Sequence, residues 1–402
     1  MKPYLRSRVI VAFAFLSPLA TAFAPLAAQN SPASAQKGWR IVPEGELRSE
    51  YDDNVFLLTS SKKNDLDPLS GSSTASGRYA GMKSSSDIIT TAEGVLRARG
   101  SGIGGRRLEL SPRVAYEFYA ANAERRNLTL GAIAEQALGK DGRVRVALRS
   151  TPDYFARNYL SDAVDADASG TITSDERVYE AGTYSEMNLH GDYRRRLMKS
   201  DQGRLRRVLL DLGAGYDMRA YDAPFEGRDL SGPTFDAGLK LDLPRKIDVG
   251  VEYALAVLSA DATPQVQLLD EPDFNRDFNG NGSQIDRNVR TFELVDRSRT
   301  EHSLGVSLRL PVARKTDFGF SYVRRLRDFG SDQPFDAGNR GRRDMRNEIG
   351  AELNRNMRNG LRLALRSAYA AQSVNRSNDA AATGDIDDYS KVRFSAALTY
   401  RF

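Results

Sequence analysis

Along most of the chain, apolar and polar side chains alternate one by one. Between Val392 and Phe402, Val392, Phe394, Ala396, Leu398, Tyr400 and Phe402 share one face, and Arg393, Ser395, Ala397, Thr399 and Arg401 the other. The stretch from Arg207 sets Val208, Leu210, Leu212, Ala214, Tyr216 and Met218 against Arg207, Asp211, Asp217 and Arg219. Ile247–Val257 repeats the division, with Val249, Val251, Tyr253 and Leu255 opposite Asp248, Gly250 and Glu252. A period of two marks extended strands with one apolar face, and helical spacing fits these segments less well.

About 14 segments carry this pattern: 39–51, 87–99, 106–120, 126–138, 143–155, 181–196, 204–221, 233–243, 247–258, 298–310, 315–327, 343–357, 360–371 and 389–402. Each is close to the ~10 residues with which a tilted strand crosses a bilayer. The connections alternate in length. SGIGG, GKDG, MKSDQG, PRK, PVAR and RNG are tight, whereas 52–86, 156–180, 259–297, 328–342 and 372–388 are long. A sandwich has no reason to sort its connections in this way; a membrane barrel does. The predicted fold is all-β: a transmembrane antiparallel up-and-down barrel of about 14 strands, with short periplasmic turns and long extracellular loops. An even strand count places both termini in the periplasm.

The apolar face then meets lipid, because the other face is too charged to form a core. Tyr51, Phe118, Tyr119, Tyr216, Phe235, Tyr322, Tyr369, Tyr389, Tyr400 and Phe402 lie towards strand ends, where aromatic girdles are expected. The closing Tyr400–Arg401–Phe402 resembles the terminal strand signal that periplasmic chaperones and the barrel-assembly machinery read.

Composition refines this picture only in places. The first residues combine a basic start (Lys2, Arg6, Arg8) with an apolar run from Val9 and small-residue cleavage sites. Residues 1–35 are therefore expected to be a signal peptide, cleaved after 24, 28 or 35, and 36–402 a single barrel domain. There is no Cys, so no disulfide framework. The net charge of +5 comes from 58 basic and 53 acidic residues, too balanced to indicate nucleic acid.

On this register Arg, Asp and Glu crowd the inner face. The expected pore-lining residues are Arg97, Arg113, Arg143, Arg145, Arg149, Asp236, Asp242, Asp248, Glu252, Arg362, Arg366 and Arg393. Cross-strand ion pairs explain such a wall structurally. Arg143, Arg145 and Arg149 are expected between Glu135 and the pair Glu186 and Asp192. Opposed acidic and basic walls would also orient polar solutes in a water-filled pore.

Two loops carry candidate calcium sites. DADASGTITSDE fits the twelve-residue EF-hand loop, with Asp165, Asp167, Ser169, the Thr171 carbonyl, Thr173 through water and Glu176 as ligands. Asp277, Asn279 and Asn281 begin a second, less regular match that Asp286 would complete. Both lie in predicted extracellular loops, 156–180 and 259–297. There calcium would brace polar chain that buries too little apolar surface to order itself.

The run Tyr51-Asp52-Asp53-Asn54-Val55-Phe56 resembles the opening of the β-barrel porin family 2 of bacterial outer-membrane proteins. The layout of signal, barrel and terminal Phe is similar as well. The resemblance implies an outer-membrane barrel, in a family many of whose members accompany exopolysaccharide production or export. The EF-hand-like insertion departs from that family.

Catalysis finds little support. The only His residues are His190, predicted in the lumen, and His302, predicted on the lipid side, and His302 and its neighbour Ser303 point to opposite faces. The leading expectation is a channel for polar or anionic solutes or saccharides. The alternative is a non-conducting anchor whose calcium-ordered loops bind a surface polymer or protein partner.

Overall fold

The computed structural model describes residues 38–66, 79–163, 177–200, 205–269, 289–333, 336, 338–375 and 388–402. The barrel begins with β1 (Arg40–Asp52), β2 (Asp87–Ser101), β3 (Arg107–Tyr119) and β4 (Asn127–Leu138). It continues through β5 (Gly142–Ala163), β6 (Arg177–Lys199), β7 (Arg207–Tyr221), β8 (Leu230–Leu243) and β9 (Ile247–Leu258). After a two-stranded excursion, β10 (Thr263–Leu269) and β11 (Val289–Val295), it resumes with β12 (Arg299–Ala313), β13 (Thr316–Phe329), β14 (Arg343–Asn356), β15 (Leu361–Asn375) and β16 (Tyr389–Arg401). Fourteen of these strands form one closed barrel, and β10–β11 form a separate sheet.

Closure is made by β1 on β16, antiparallel, with Leu47 opposite Leu398 and Tyr51 opposite Phe394. Every strand of the barrel thus has two neighbours, which leaves no open edge. The chain ends share one rim with the short turns. In one of those turns Asn359 and Gly360 both take positive φ, 58° and 75°. That is the conformation that matches strand twist in a tight hairpin. A Cβ at Gly360 would lie 2.6 Å from the Arg401 carbonyl, so only glycine fits there.

The alternation decides what each strand shows to the outside. Leu47, Val146, Leu189, Leu212, Phe235, Val251, Val306, Phe320, Ile349, Leu365 and Phe394 are all exposed on the outer surface. Among the expected girdle residues, Tyr51, Phe118, Tyr216, Phe235, Tyr369, Tyr400 and Phe402 are exposed with them. Tyr389 is a correction, since it is 5% exposed and faces inward. Tyr119 is another: it packs on a buried apolar cluster inside the rim.

Two departures from the sequence reading have a physical cause. First, β5 and β6 run far beyond the expected ends at 155 and 181 and form a projecting hairpin. Their pairing slips between Thr151 and Tyr154, Phe155 and Arg157, and Leu160 and Asp162. Each bulge resets which face a side chain takes, so the period of two is lost there. Second, the segment 259–297, expected to be loop throughout, contains the β10–β11 hairpin, which packs against β5 and the turn Glu226–Arg228.

Candidate functional site

The lumen is built by the residues that alternate with the outer belt. A cavity of about 460 Å³ lies within it, lined from β1 round to β8. Its cations are Arg48, Lys240, Arg309, Arg366 and Arg393, and its acids Glu50, Asp248, Glu348 and Glu352. Around the ring β8 stands seven strands from β1, and β6 seven from β15. The acids Asp192, Asp211, Asp236 and Glu252 on β6–β9 therefore face the wall that carries Arg48, Arg366 and Arg393.

Most of the expected lining residues are held in ion pairs. Arg97 bridges Glu44 at 3.0 Å and Glu109 at 3.2 Å. Arg143 meets Glu135 at 2.8 Å and Arg145 meets Asp192 at 3.1 Å. Arg113 stands 3.8 Å from Glu93. Asp242 pairs with Arg207, and Asp248 with Lys240 at 3.1 Å. Arg362 and Arg366 both reach Glu352, at 3.7 and 3.2 Å, while Arg393 reaches Glu348 at 2.6 Å. The seam is closed in the same way, by Arg401 on Glu44 at 2.7 Å.

Not every expected partnership forms. Glu186 pairs with Arg219 at 3.0 Å rather than with an arginine of β5, and Arg149 stands opposite Asn188. Among the described residues Arg149, Arg309, Glu50 and Glu252 have no ion-pair partner. Paired charges of opposite sign largely cancel at a distance, so the unpaired groups weigh most in the field that a solute meets.

At the rim of long loops the opening is narrowed from inside. Ile88 is exposed on the outer surface, so its neighbour Ile89 points inward. On Ile89 and Phe155 rest Val55, Phe56, Leu58, Leu66 and Met82 of the first loop, with Tyr79 and Tyr119 packed alongside. A short helix, α1 (Ser60–Leu66), forms part of this loop, its start capped by Thr59 Oγ1, which accepts from the Lys62 amide at 3.2 Å. The Asp52–Phe56 motif is the fold-back point. Asn54 is fully buried, accepts from the Leu58 amide at 2.8 Å and donates to the Leu58 and Ser390 carbonyls at 2.8 and 2.9 Å.

Beside the loop lies an aromatic and arginine stack that the sequence reading missed. Arg125 donates to the Ala156 carbonyl at 2.8 Å and to the Tyr154 hydroxyl, and its guanidinium stands 4.9 Å from the Phe56 ring centre. The stack continues through Tyr184, covered by Arg219 at 4.6 Å, and Tyr159, covered by Arg228 at 3.6 Å. Tyr154, Tyr184 and Tyr221 do recur at one level of β5, β6 and β7, but the bulges in β5 hide that relation from the sequence.

The calcium ligands proposed from sequence, Asp165, Asp167, Ser169, Thr171, Thr173, Glu176, Asp277, Asn279, Asn281 and Asp286, lie outside the described residues. Of the two histidines, His190 points into the lumen. His302 is on the outside, where its Nδ1 lies 2.8 Å from the Tyr253 hydroxyl.

A closed barrel with an apolar exterior and a charged, cavity-bearing interior is the architecture of an integral outer-membrane β-barrel of the porin-like class. No family profile matches the chain, and no curated protein sequence does. Solved structures overlap it at low identity. A loop-deletion mutant of OmpT, an outer membrane protein of Vibrio cholerae, is 11% identical over 91% of this chain and 100% of its own, with a TM-score of 0.37. The outer membrane channel DcaP of Acinetobacter baumannii is 9% identical over 92% and 99%, with a TM-score of 0.42. An anion-selective porin from Comamonas acidovorans is 12% identical over 91% and 99%, with a TM-score of 0.36. At these scores the overlap carries nothing about solute, partner or assembly.

Proposed function

We propose that this chain is a channel of the bacterial outer membrane that admits polar, charge-bearing solutes, with its short turns and both termini in the periplasm. The charged cavity carries this reading, lined by Arg48, Lys240, Arg309, Arg366 and Arg393 together with Glu50, Asp248, Glu348 and Glu352. A charged lumen wall is of no use to a barrel filled by apolar packing, whereas fixed charges of both signs hold and orient a polar solute as it passes. The first loop and the β10–β11 hairpin lie at one rim, so they restrict entry there while the cavity occupies the lumen.

Conductance of refolded protein in a planar bilayer tests the proposal, with and without millimolar calcium. Steady single-channel steps are the expected result. Silence from protein shown to be folded would overturn it and favour the non-conducting anchor, a reading helped by the inward packing of the first loop. The resemblance of the Tyr51–Phe56 run is the reason to include saccharides, beside small anionic solutes, among those to try. The calcium loops belong to the same proposal on sequence grounds, and a chelator-dependent change in conductance is the outcome that supports them.

A further inference from the structure

His190 on β6 brings two carboxylates together from different strands. Its Nε2 lies 3.0 Å from Asp192 Oδ1 and 3.0 Å from Asp236 Oδ1. Asp236 is on β8, and the whole of β7 runs between it and His190. In the register, Asp192 faces Gly213 and Gly213 faces Asp236, while His190 faces Gly215. Both intervening inward positions are therefore glycine. A Cβ on Gly213 would collide with the Asp236 carboxylate, and one on Gly215 would stand 2.7 Å from His190 Nδ1. Any other residue at either place would wedge the three groups apart.

We infer that His190, Asp192 and Asp236 form a lumenal binding site for a first-row divalent transition cation. One donor atom from each residue falls within a 4.8 Å sphere of separation. Metal–ligand distances of ~2.0–2.2 Å at right to tetrahedral angles separate two donors by roughly 2.9–3.5 Å, which the two 3.0 Å edges meet. The donor set is mixed, one imidazole nitrogen and two carboxylate oxygens, which suits zinc or cobalt and not calcium with its all-oxygen shell.

The surroundings hold the ligands in place. Arg145 occupies the other oxygen of Asp192 at 3.1 Å, leaving Oδ1 turned to His190. Among the described residues Asp236 has no ion-pair partner but His190. Asp211, itself held by Arg194, and the unpaired Glu252 extend the negative wall beside it. All three donors remain partly open to the lumen, at 30%, 24% and 18% side-chain exposure, so a cation enters from the water side and keeps positions for water.

The test is zinc binding by calorimetry, and cobalt binding by visible absorption, on the full untagged barrel in detergent. Millimolar calcium is present throughout to fill oxygen-only sites. One zinc equivalent is expected, lost or weakened at least ~10-fold in His190→Ala and in Asp236→Asn. His302→Ala, which removes the other histidine on the outer face, should bind as the parent does. Each variant is first shown to be folded by its far-ultraviolet circular dichroism. A parent that binds neither metal overturns the inference, as does a parent affinity that survives both ligand substitutions.

Discussion

The Asn54 side-chain amide donates to the Ser390 carbonyl at 2.9 Å, joining the first loop to the last strand across the barrel seam. Around this contact the Asp53 carboxylate accepts from the Val392 amide at 2.6 Å and Lys391 pairs with Asp52 at 2.5 Å. The fold-back of the loop and the closure of the barrel are therefore one structure. Asn54→Ala removes a fully buried side chain that satisfies groups on both segments. Leaving such groups unpaired costs about 2–3 kcal/mol. The barrel is expected to refold while the first loop becomes sensitive to limited proteolysis, with open conductance raised. A variant as resistant as the parent would contradict the role given to Asn54.

Leu47 sits in the middle of β1, 57% exposed on the outer belt. In lipid, an arginine near the midplane of such a strand costs about 2–4 kcal/mol. Leu47→Arg should lower the unfolding free energy in liposomes by that amount, read as a lower denaturant midpoint at unchanged slope. Glu46→Gln, one position along and facing water, should change it far less. Equal effects would mean that the exterior does not meet lipid.

Arg366 and Arg393 are two of the five cations that line the cavity, and their partners Glu352 and Glu348 remain when they are replaced. Arg366→Glu with Arg393→Glu should move the reversal potential under a salt gradient towards cation selectivity, whatever the starting preference. High salt should shrink the difference, because the Debye length falls to ~3 Å at 1 M. An unchanged reversal potential would place the permeation path elsewhere.

Asp229, in the β7–β8 connection outside the wall, has its carboxyl pushed up to about 6, first by burial and then by Glu226, Asp261 and Asp222 nearby. A carboxyl raised in the folded state favours folding in acid. This contribution is fully present below the unfolded value near 3.9 and is lost as pH rises to about 6. The Tyr221 amide donates to Asp229 Oδ1 at 2.6 Å, and an asparagine oxygen accepts the same bond. Asp229→Asn should therefore match the parent below pH 4 and melt higher than it at pH 7. A melting difference that does not depend on pH would exclude this origin.

Much of the barrel was legible in the chain because the information is local. Alternation in Arg207–Met218 or Val392–Phe402 states which residues face lipid and which face water without reference to any other strand. The alternation of short and long connections then gives the strand order. His190 and Asp236 were likewise both assignable to the inner face.

What the chain could not state is which inward groups meet. A slip of two residues leaves every side chain on its proper face and changes every cross-strand partner. Only the assembled register pairs Glu186 with Arg219 instead of Arg149. Only the register aligns Gly213 and Gly215 so that His190 can reach Asp236 over β7. The inward packing of Phe56 on Phe155 is of the same kind, since the bulges that aim Phe155 erase the period that would have revealed it. Periodicity along one strand determined the faces, and closure of the ring determined the site.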